Sequence, residues 1–134
     1  MKIRNAQTST PEDAPRALFS RGGTVFKRLS GVPETAQVEV YRVDFPPGAR
    51  TRVHVHTVDQ ILIGVRGRGY VADAGGEQVL EVGDTVTIPA DHPHWHGAGP
   101  DGAFAHITVA VPGDRIEIVD GDARGAWGAL PEGG

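Results

Sequence analysis

The chain contains no cysteine, which excludes disulfide bonds, thiolate metal sites and iron–sulfur clusters. No apolar run approaches the ~20 residues of a membrane-spanning helix, so we expect no membrane partner. The first 25 residues lack the hydrophobic segment of a secretory signal peptide, and we therefore expect a cytoplasmic protein. Basic residues are too few and too scattered to bind nucleic acid, since 13 Lys and Arg stand against 17 Asp and Glu.

Glycine and proline, by contrast, are abundant, with 19 and 10 occurrences among 134 residues. They interrupt the chain at short intervals, which favours short strands joined by turns over long helices. From Thr24 onward the polarity mostly alternates with a period of two, as in Val38–Phe45. About eight short strands, with turn signals about every 8–12 residues, predict an all-β sandwich or jelly-roll barrel.

We predict one domain over residues 1–134, with a barrel over about 24–119. The segment 120–134 has no helical period and only Trp127 and Leu130 to dock it, so we expect a loosely held tail. Three local features are also expected: a helical turn capped by Thr10–Asp13, a strand over residues 50–56, and a turn at Gly67–Gly69.

Three histidines and a glutamine form the most informative pattern in the chain: His54, His56, Gln60 and His94. Side chains two residues apart in a strand point to the same face, so His54 and His56 project together. Imidazoles at this spacing can share a divalent cation, and nitrogen and oxygen donors suit Mn, Fe, Co, Ni or Zn. The residues alone also allow Gln60 to act as a hydrogen-bonding group beside the metal.

The spacings around these residues resemble the two sequence motifs of the cupin family. Five residues separate Gly48 from His54, three separate His56 from Gln60, and six separate Gln60 from Gly67. In the second motif, five residues lie between Gly83 and Pro89, and two lie between Asp91 and His94. The resemblance implies a cupin double-stranded β-helix, which is a jelly-roll barrel with a metal centre.

Three positions depart from the cupin pattern: Gln60 replaces Glu, Asp91 replaces Gly, and Ala98 replaces Asn. The last two are turn and scaffold positions. The glutamine matters more, because its amide oxygen can coordinate a metal but carries no charge. Three neutral imidazoles and an amide would leave a divalent ion its full positive charge, which makes it a stronger Lewis acid.

Within the cupins, this donor set and the run His94-Trp95-His96-Gly97-Ala98 resemble the manganese-dependent hydroxynitrile lyases. The resemblance implies one manganese ion per chain on His54, His56, Gln60 and His94. It also implies cleavage or formation of cyanohydrins from aldehydes. His106 stands where that group requires a histidine for activity, and His96 has the parity of His94. We therefore predict His106 and His96 as the catalytic residues. The residues alone also allow His106 to be a buried, hydrogen-bonded core histidine and His96 to hydrogen-bond a loop.

Several assignments remain open at this level. His92 lies in a turn and is expected to face solvent, while Trp95 and Tyr41 are expected to pack in the core. Arg50 and Arg52 share the parity of His54, so they are either surface residues or groups that hold a substrate carboxylate.

The leading functional hypothesis is a metal-dependent lyase that acts on a small organic molecule. The alternatives are a metal-dependent dioxygenase, which uses a similar set of ligands, and a cupin that binds a small ligand without catalysis. Cupins are commonly dimers, so the resemblance also implies a homodimer.

Overall fold

The computed structural model describes residues 1–13, 16–19 and 22–120, and their regular structure is almost entirely β. A turn of 3₁₀-helix, Arg16–Leu18, precedes the strands. The strands that follow are β1 Val25–Ser30, β2 Glu39–Phe45, β3 His54–His56, β4 Gln60–Asp73, β5 Gly76–Glu81, β6 Thr85–Ile88, β7 Trp95–Ala98, β8 Phe104–Ala110 and β9 Ile116–Ile118.

All of the strand pairs are antiparallel, and β4 joins the two halves of the barrel. Its first half pairs with β6 and β8, and its second half pairs with β5 and β7. The sheet continues from β8 to β2 and β1, while β3 pairs with β9. A bridge between His54 and His94 links β3 to the start of β7. This architecture confirms the predicted all-β jelly-roll barrel.

The predicted turn at Gly67–Gly69 is wrong, because β4 runs through these residues without a break. The strand bends instead, with a register shift between Gly64 and Arg66 against β8. Gly67 has a φ of 66°, and a Cβ there would collide with the carbonyl oxygen of Ala103. At Gly69 a Cβ would collide with the ring of Phe104. These glycines therefore permit close strand approach at a bend, not a chain reversal.

Two further local expectations are corrected. Thr10–Asp13 do not cap a helix: the backbone N–H of Glu12 donates to the carbonyl of Phe26 at 2.8 Å, beside β1. The segment 50–56 is not one strand, since regular pairing begins only at His54. Arg50 and Thr51 form isolated bridges, and a bend follows at Val53.

Two buried clusters stabilise the barrel. One contains Phe45, Leu62 and Phe104, and its phenylalanine rings contact buried histidines. The ring of Phe45 lies 5.5 Å from that of His106 and 5.9 Å from that of His96, centroid to centroid. Each such apolar side chain contributes about 1.5–3 kcal/mol on burial. These contacts hold the imidazoles in a rigid apolar surround.

The second cluster contains Val53, Val55, Ala72, Trp95 and Val119.

The described residues include no helix that is long and apolar enough to cross a membrane. Residues 121–134, with Trp127 and Leu130, lie outside the described residues. The single-domain division and the loosely held tail therefore stay predictions.

Candidate metal centre

Strand pairing brings the side chains of His54, His56 and His94 together inside the barrel. His54 and His56 lie on β3, and His94 directly precedes β7. One nitrogen from each imidazole lies within 4.8 Å of the nitrogens of the other two, so this group could hold a metal ion. Gln60, the first residue of β4, is also buried. The structure thus places all four predicted ligands in the barrel interior.

The other ring nitrogen of each imidazole is fixed by a hydrogen bond. Nδ1 of His54 lies 2.7 Å from the carbonyl oxygen of Arg52, and Nδ1 of His94 lies 2.8 Å from that of His92. Nδ1 of His56 lies 2.5 Å from Oδ2 of Asp114. Because carbonyl oxygens only accept, Nδ1 of His54 and His94 must carry the proton. This leaves the Nε2 lone pairs available as metal ligands.

Among the described residues, five buried side-chain polar atoms have no hydrogen-bond partner. One is Oγ1 of Thr24, and the other four are Nε2 of His54, His56 and His94, and Oε1 of Gln60. A buried acceptor without a partner costs about 1–3 kcal/mol. The three imidazole nitrogens lie close together and Gln60 lines the same cavity as His54 and His56, so the four atoms require an explanation. A divalent metal would satisfy all four, since imidazole nitrogen and amide oxygen are both suitable donors. The residues present therefore fit the metal that the cupin resemblance implies.

Burial also keeps these imidazoles in the form that binds metals. Desolvation lowers the pKa of His94 to about 4, and it lowers the pKa of His54 well below the usual histidine range. Neighbouring imidazoles add to the effect at His54, because two positive charges there would repel each other. At neutral pH both rings are uncharged, so no proton competes with a cation.

His96 and His106 lie beside this group and form a hydrogen-bonded chain with Thr108. Nε2 of His106 lies 3.0 Å from Nδ1 of His96, and Nδ1 of His106 lies 3.1 Å from Oγ1 of Thr108. Burial lowers the pKa of His106 to about 3 and that of His96 well below its usual range. Both ring nitrogens of His106 and Nδ1 of His96 take part in these hydrogen bonds, and Nε2 of His96 does not.

A cavity of about 280 Å³ connects these groups to the surface. Its inner end is lined by His54, His56, Gln60, His96 and His106. Its outer end is lined by Glu12, Asp13, Arg28, Glu39 and Tyr41, which are half-buried or exposed. Apolar side chains such as Phe26 and Val43 form the wall between the two ends. The volume is suitable for a small organic molecule.

The arginines that shared parity with His54 do not line this cavity. Both Nε and Nη2 of Arg52 donate to the carboxylate of Asp120, at 2.7 and 2.9 Å. The guanidinium of Arg50 lies over the ring of Trp95, 4.2 Å from its centroid. The bend at Val53 breaks the parity on which the expectation rested. Neither arginine is placed to hold a substrate carboxylate.

The other open assignments are resolved by contacts. His92 lies at the surface, with Nε2 3.0 Å from the carboxylate of Asp73. Trp95 is buried in the second cluster, as expected. Tyr41 packs on Phe26, with ring centroids 4.5 Å apart, but it also lines the cavity and donates its hydroxyl to Glu39.

Sequence reasoning missed Asp114, which orients His56, and it missed the role of Thr108, which orients His106. Asp114 is 58 residues from its partner, and no spacing rule connects the two. Thr108 follows His106 at a distance of two on β8, so strand parity alone placed both side chains on one face.

The fold and the buried imidazoles define a class of protein: the chain belongs to the cupin family, whose Cupin domain model matches residues 41–111. It is 34% identical to (R)-mandelonitrile lyase of Granulicella tundricola over 111 residues, which are 81% of this chain and 83% of that protein. The resemblance to cupins, and to the hydroxynitrile lyase group among them, is confirmed.

Other relatives carry different chemistry. Acireductone dioxygenase of Alcanivorax borkumensis is 28% identical over 101 residues, covering 72% of this chain and 53% of that protein. Among solved structures, a cupin-like protein of Thermotoga maritima superposes with a TM-score of 0.73 at 29% identity, covering 98% of this chain and 100% of that one. These relatives support a small-molecule substrate and a divalent metal, and they leave the reaction to be inferred.

Proposed function

We propose that this cupin is a metal-dependent lyase that cleaves and forms cyanohydrins, with His54, His56, Gln60 and His94 holding a divalent ion. The observation that carries the proposal is the set of four buried ligand atoms without partners. The similarity to (R)-mandelonitrile lyase supports the reaction class. By resemblance to the manganese-dependent group, manganese is the expected metal, and Fe, Ni, Co or Zn would suit the same donors.

The metal, when bound, would act as a Lewis acid that polarises the substrate oxygen and makes a hydroxyl group there more acidic. Gln60 contributes to this chemistry because its side chain carries no charge. An amide oxygen brings no negative charge, so the four side chains leave the charge of the cation undiminished. The apolar surround of Phe45 and Phe104 keeps the dielectric constant low, which strengthens the effect.

His96, at one end of the hydrogen-bonded chain with His106 and Thr108, is the residue proposed to move the substrate proton. For Nε2 of His96 to accept a proton, Nδ1 of His96 must donate to Nε2 of His106, and Nδ1 of His106 must donate to Thr108. In cyanohydrin cleavage, Nε2 of His96 takes the hydroxyl proton as the carbonyl forms. The carbon–carbon bond breaks with its electron pair on cyanide, and the imidazole returns the proton to give hydrogen cyanide.

Within this scheme His96 is a catalytic residue, and His106 acts through it. Burial lowers the pKa of both rings and keeps them neutral at physiological pH, which leaves a lone pair on Nε2 of His96 for the substrate hydroxyl and one on Nε2 of His106 for His96. His106 holds the tautomer of His96, and Thr108 in turn holds that of His106. The sequence-based prediction of His106 and His96 as catalytic residues is therefore retained as a proposal, with their roles separated.

The test is mandelonitrile cleavage by the manganese-loaded protein, measured as the release of benzaldehyde. We expect His106→Gln to lose about 100-fold or more in kcat while it retains the metal. The ring that fixes the tautomer of the base His96 is then absent, and general acid–base catalysis contributes about that much. Metal content and thermal unfolding of the variant serve as controls. A wild-type protein with full metal occupancy and no turnover would contradict the proposal, as would an unchanged kcat in the variant.

A dioxygenase is the second candidate, favoured by the similarity to acireductone dioxygenase. It predicts oxygen consumption that depends on an organic substrate, with iron or nickel as the metal. A non-catalytic cupin predicts tight binding of a small ligand without turnover across a broad panel. The homodimer and the cytoplasmic location stay predictions, and size-exclusion chromatography with light scattering tests the first of them.

A further inference from the structure

The outer end of the cavity carries an excess of negative charge. Glu12, Asp13 and Glu39 contribute three carboxylates, and Arg28 contributes one guanidinium. Nε of Arg28 lies 3.3 Å from both carboxylate oxygens of Glu12, and its Nη1 lies 3.2 Å from Oε1 of Glu39. Arg28 is thus already shared between two acids, and among the described residues of this end it is the one Lys or Arg side chain that a substrate anion could reach.

Strand register places this acidic end at a defined distance from the imidazoles. On neighbouring strands, Val43 pairs with His106, Tyr41 pairs with Thr108, and Glu39 pairs with Ala110. Glu39 lies four positions before Val43 on β2, which is about 13 Å at the rise of a strand. A substrate whose reacting oxygen lies at the inner end would therefore direct its far end towards Glu39.

Aromatic rings line the path between the two ends. Phe26 and Tyr41 lie side by side, with ring centroids 4.5 Å apart, and both border the cavity. The hydroxyl of Tyr41 donates to Glu39, and the guanidinium of Arg28 lies 5.1 Å from the centre of the Tyr41 ring. A flat apolar body would fit against these rings, and its distal substituent would meet the Glu39 carboxylate.

We propose that the cavity selects substrates by the charge of their far end, accepting uncharged or cationic groups and rejecting carboxylates, and that Glu39 is the selecting residue. The described part of the cavity wall contains one Lys or Arg side chain, Arg28, whose charge is outweighed by the carboxylates around it. Arg50 and Arg52, which the sequence suggested as groups that could hold a substrate carboxylate, do not line the cavity. The preferred substrate is therefore an aldehyde or cyanohydrin with a neutral or amine-bearing tail.

This selectivity rests on one part of the proposed function, namely that a ligand oxygen binds at the metal. It does not require the reaction itself, so binding is the appropriate measurement. The probes are three hydroxamic acids built on one benzene ring, which chelate metals through two oxygens: the parent compound, its para-carboxylate and its para-aminomethyl derivative. Calorimetric titration of each into the manganese-loaded protein gives three dissociation constants. Glu39→Gln is the test variant, and Glu34→Gln, outside the cavity lining, makes the same charge change elsewhere.

In the wild type we expect the para-carboxylate to bind about tenfold more weakly than the parent, and the aminomethyl compound to bind at least as tightly as the parent. Glu39→Gln should reduce the penalty on the carboxylate by about threefold or more, and Glu34→Gln should not. Equal binding of the carboxylate and the parent would overturn the proposal. An equal shift of all three probes in Glu39→Gln, or no binding of any probe, would also overturn it.

The failure of the lyase proposal would look different, because no carbon–carbon bond is broken in these titrations. Absence of mandelonitrile turnover together with the expected order of the three probes would overturn the lyase proposal alone. Turnover with no discrimination among the probes would overturn the charge selection alone.

Discussion

The two ends of the cavity handle polar groups in opposite ways. At the inner end, Nε2 of His54 and His56 and Oε1 of Gln60 are buried without partners, and so is Nε2 of His94 beside the two imidazoles. At the outer end, Arg28 is paired with Glu12 and Glu39, and Tyr41 donates to Glu39. Groups that are satisfied by one another need no ligand, whereas unsatisfied groups around one space do. We therefore interpret the inner end as the binding site and the outer end as the region that selects ligands by their charge.

Orientation distinguishes the two ends as well. Each inner imidazole is held through Nδ1 by a partner outside the site: the carbonyls of Arg52 and His92, and the carboxylate of Asp114. The outer side chains are held by one another, near solvent. Charges near solvent are screened and contribute little to stability, about 0–1 kcal/mol per pair. We therefore expect substitutions at the inner end to have the larger effects.

The largest expected effect is the loss of the metal on removal of one imidazole. His94→Ala should weaken binding of manganese by about 100-fold or more, because it removes a ligand and not merely the orientation of one. Chelator competition measures the affinity, and elemental analysis of protein purified without added metal measures the occupancy.

His92→Ala is the matched control for this variant. The His92 side chain lies at the surface against Asp73, while its backbone carbonyl, which the substitution preserves, holds His94. We expect the control to keep its metal. Full occupancy in His94→Ala would contradict the site as described.

The inner end could be predicted from the sequence because its geometry follows from strand parity and turn spacing. His54 and His56 are two apart, and the glycines at either end of the motif fix where the strands begin and bend. The partners of the imidazoles could not be predicted in this way. Asp114 reaches His56 because β9 pairs with β3, a contact that only the folded barrel creates.

The alternation of side chains gave a wrong expectation for residues 50–52, because these residues are not part of β3. Arg50 and Arg52 were expected to face the same way as His54, but the chain bends at Val53 before β3 begins. The acidic outer end was also beyond sequence reasoning. Arg28 and Glu39 come together through the register of β1 and β2, which turn signals alone do not specify.

The second prediction concerns the cost of keeping an inner imidazole neutral. Burial lowers the pKa of His106 to about 3, below the usual ~6.5 of the unfolded chain. Between these values the unfolded chain binds a proton that the folded chain does not. The stability should therefore fall as the pH falls from about 6.5 towards 3, by at most about 1.4 kcal/mol per pH unit.

Urea unfolding of metal-free protein at several pH values measures this slope. In His106→Gln the contribution of this ring is absent, so the curve should be shallower by about 1 kcal/mol per pH unit. The other buried histidines are present in both proteins, and of these His96 is the one whose pKa His106 also affects. The difference between the two curves therefore reports His106 and its effect on His96. Parallel curves for the two proteins would show that His106 does not titrate as a buried ring.

The smallest effect, and the one that best separates binding from chemistry, is expected for Gln60→Glu. A carboxylate in place of the amide would neutralise part of the charge of the cation, so manganese should bind about tenfold more tightly. The same charge would weaken the polarisation of the substrate oxygen, so kcat for mandelonitrile should fall about tenfold. Tighter binding and slower turnover in one variant is a combination that general damage to the fold does not produce.

Gln37→Glu adds the same charge at an exposed position outside the cavity lining and serves as the control. If Gln60→Glu leaves both the metal affinity and kcat unchanged, Oε1 of Gln60 is not a ligand, and its lack of a partner needs another explanation. If affinity rises while kcat is unchanged, the amide is a ligand whose neutrality does not govern the reaction. Only opposite changes in the two quantities support the view that this cupin uses an uncharged fourth ligand to keep its metal strongly acidic.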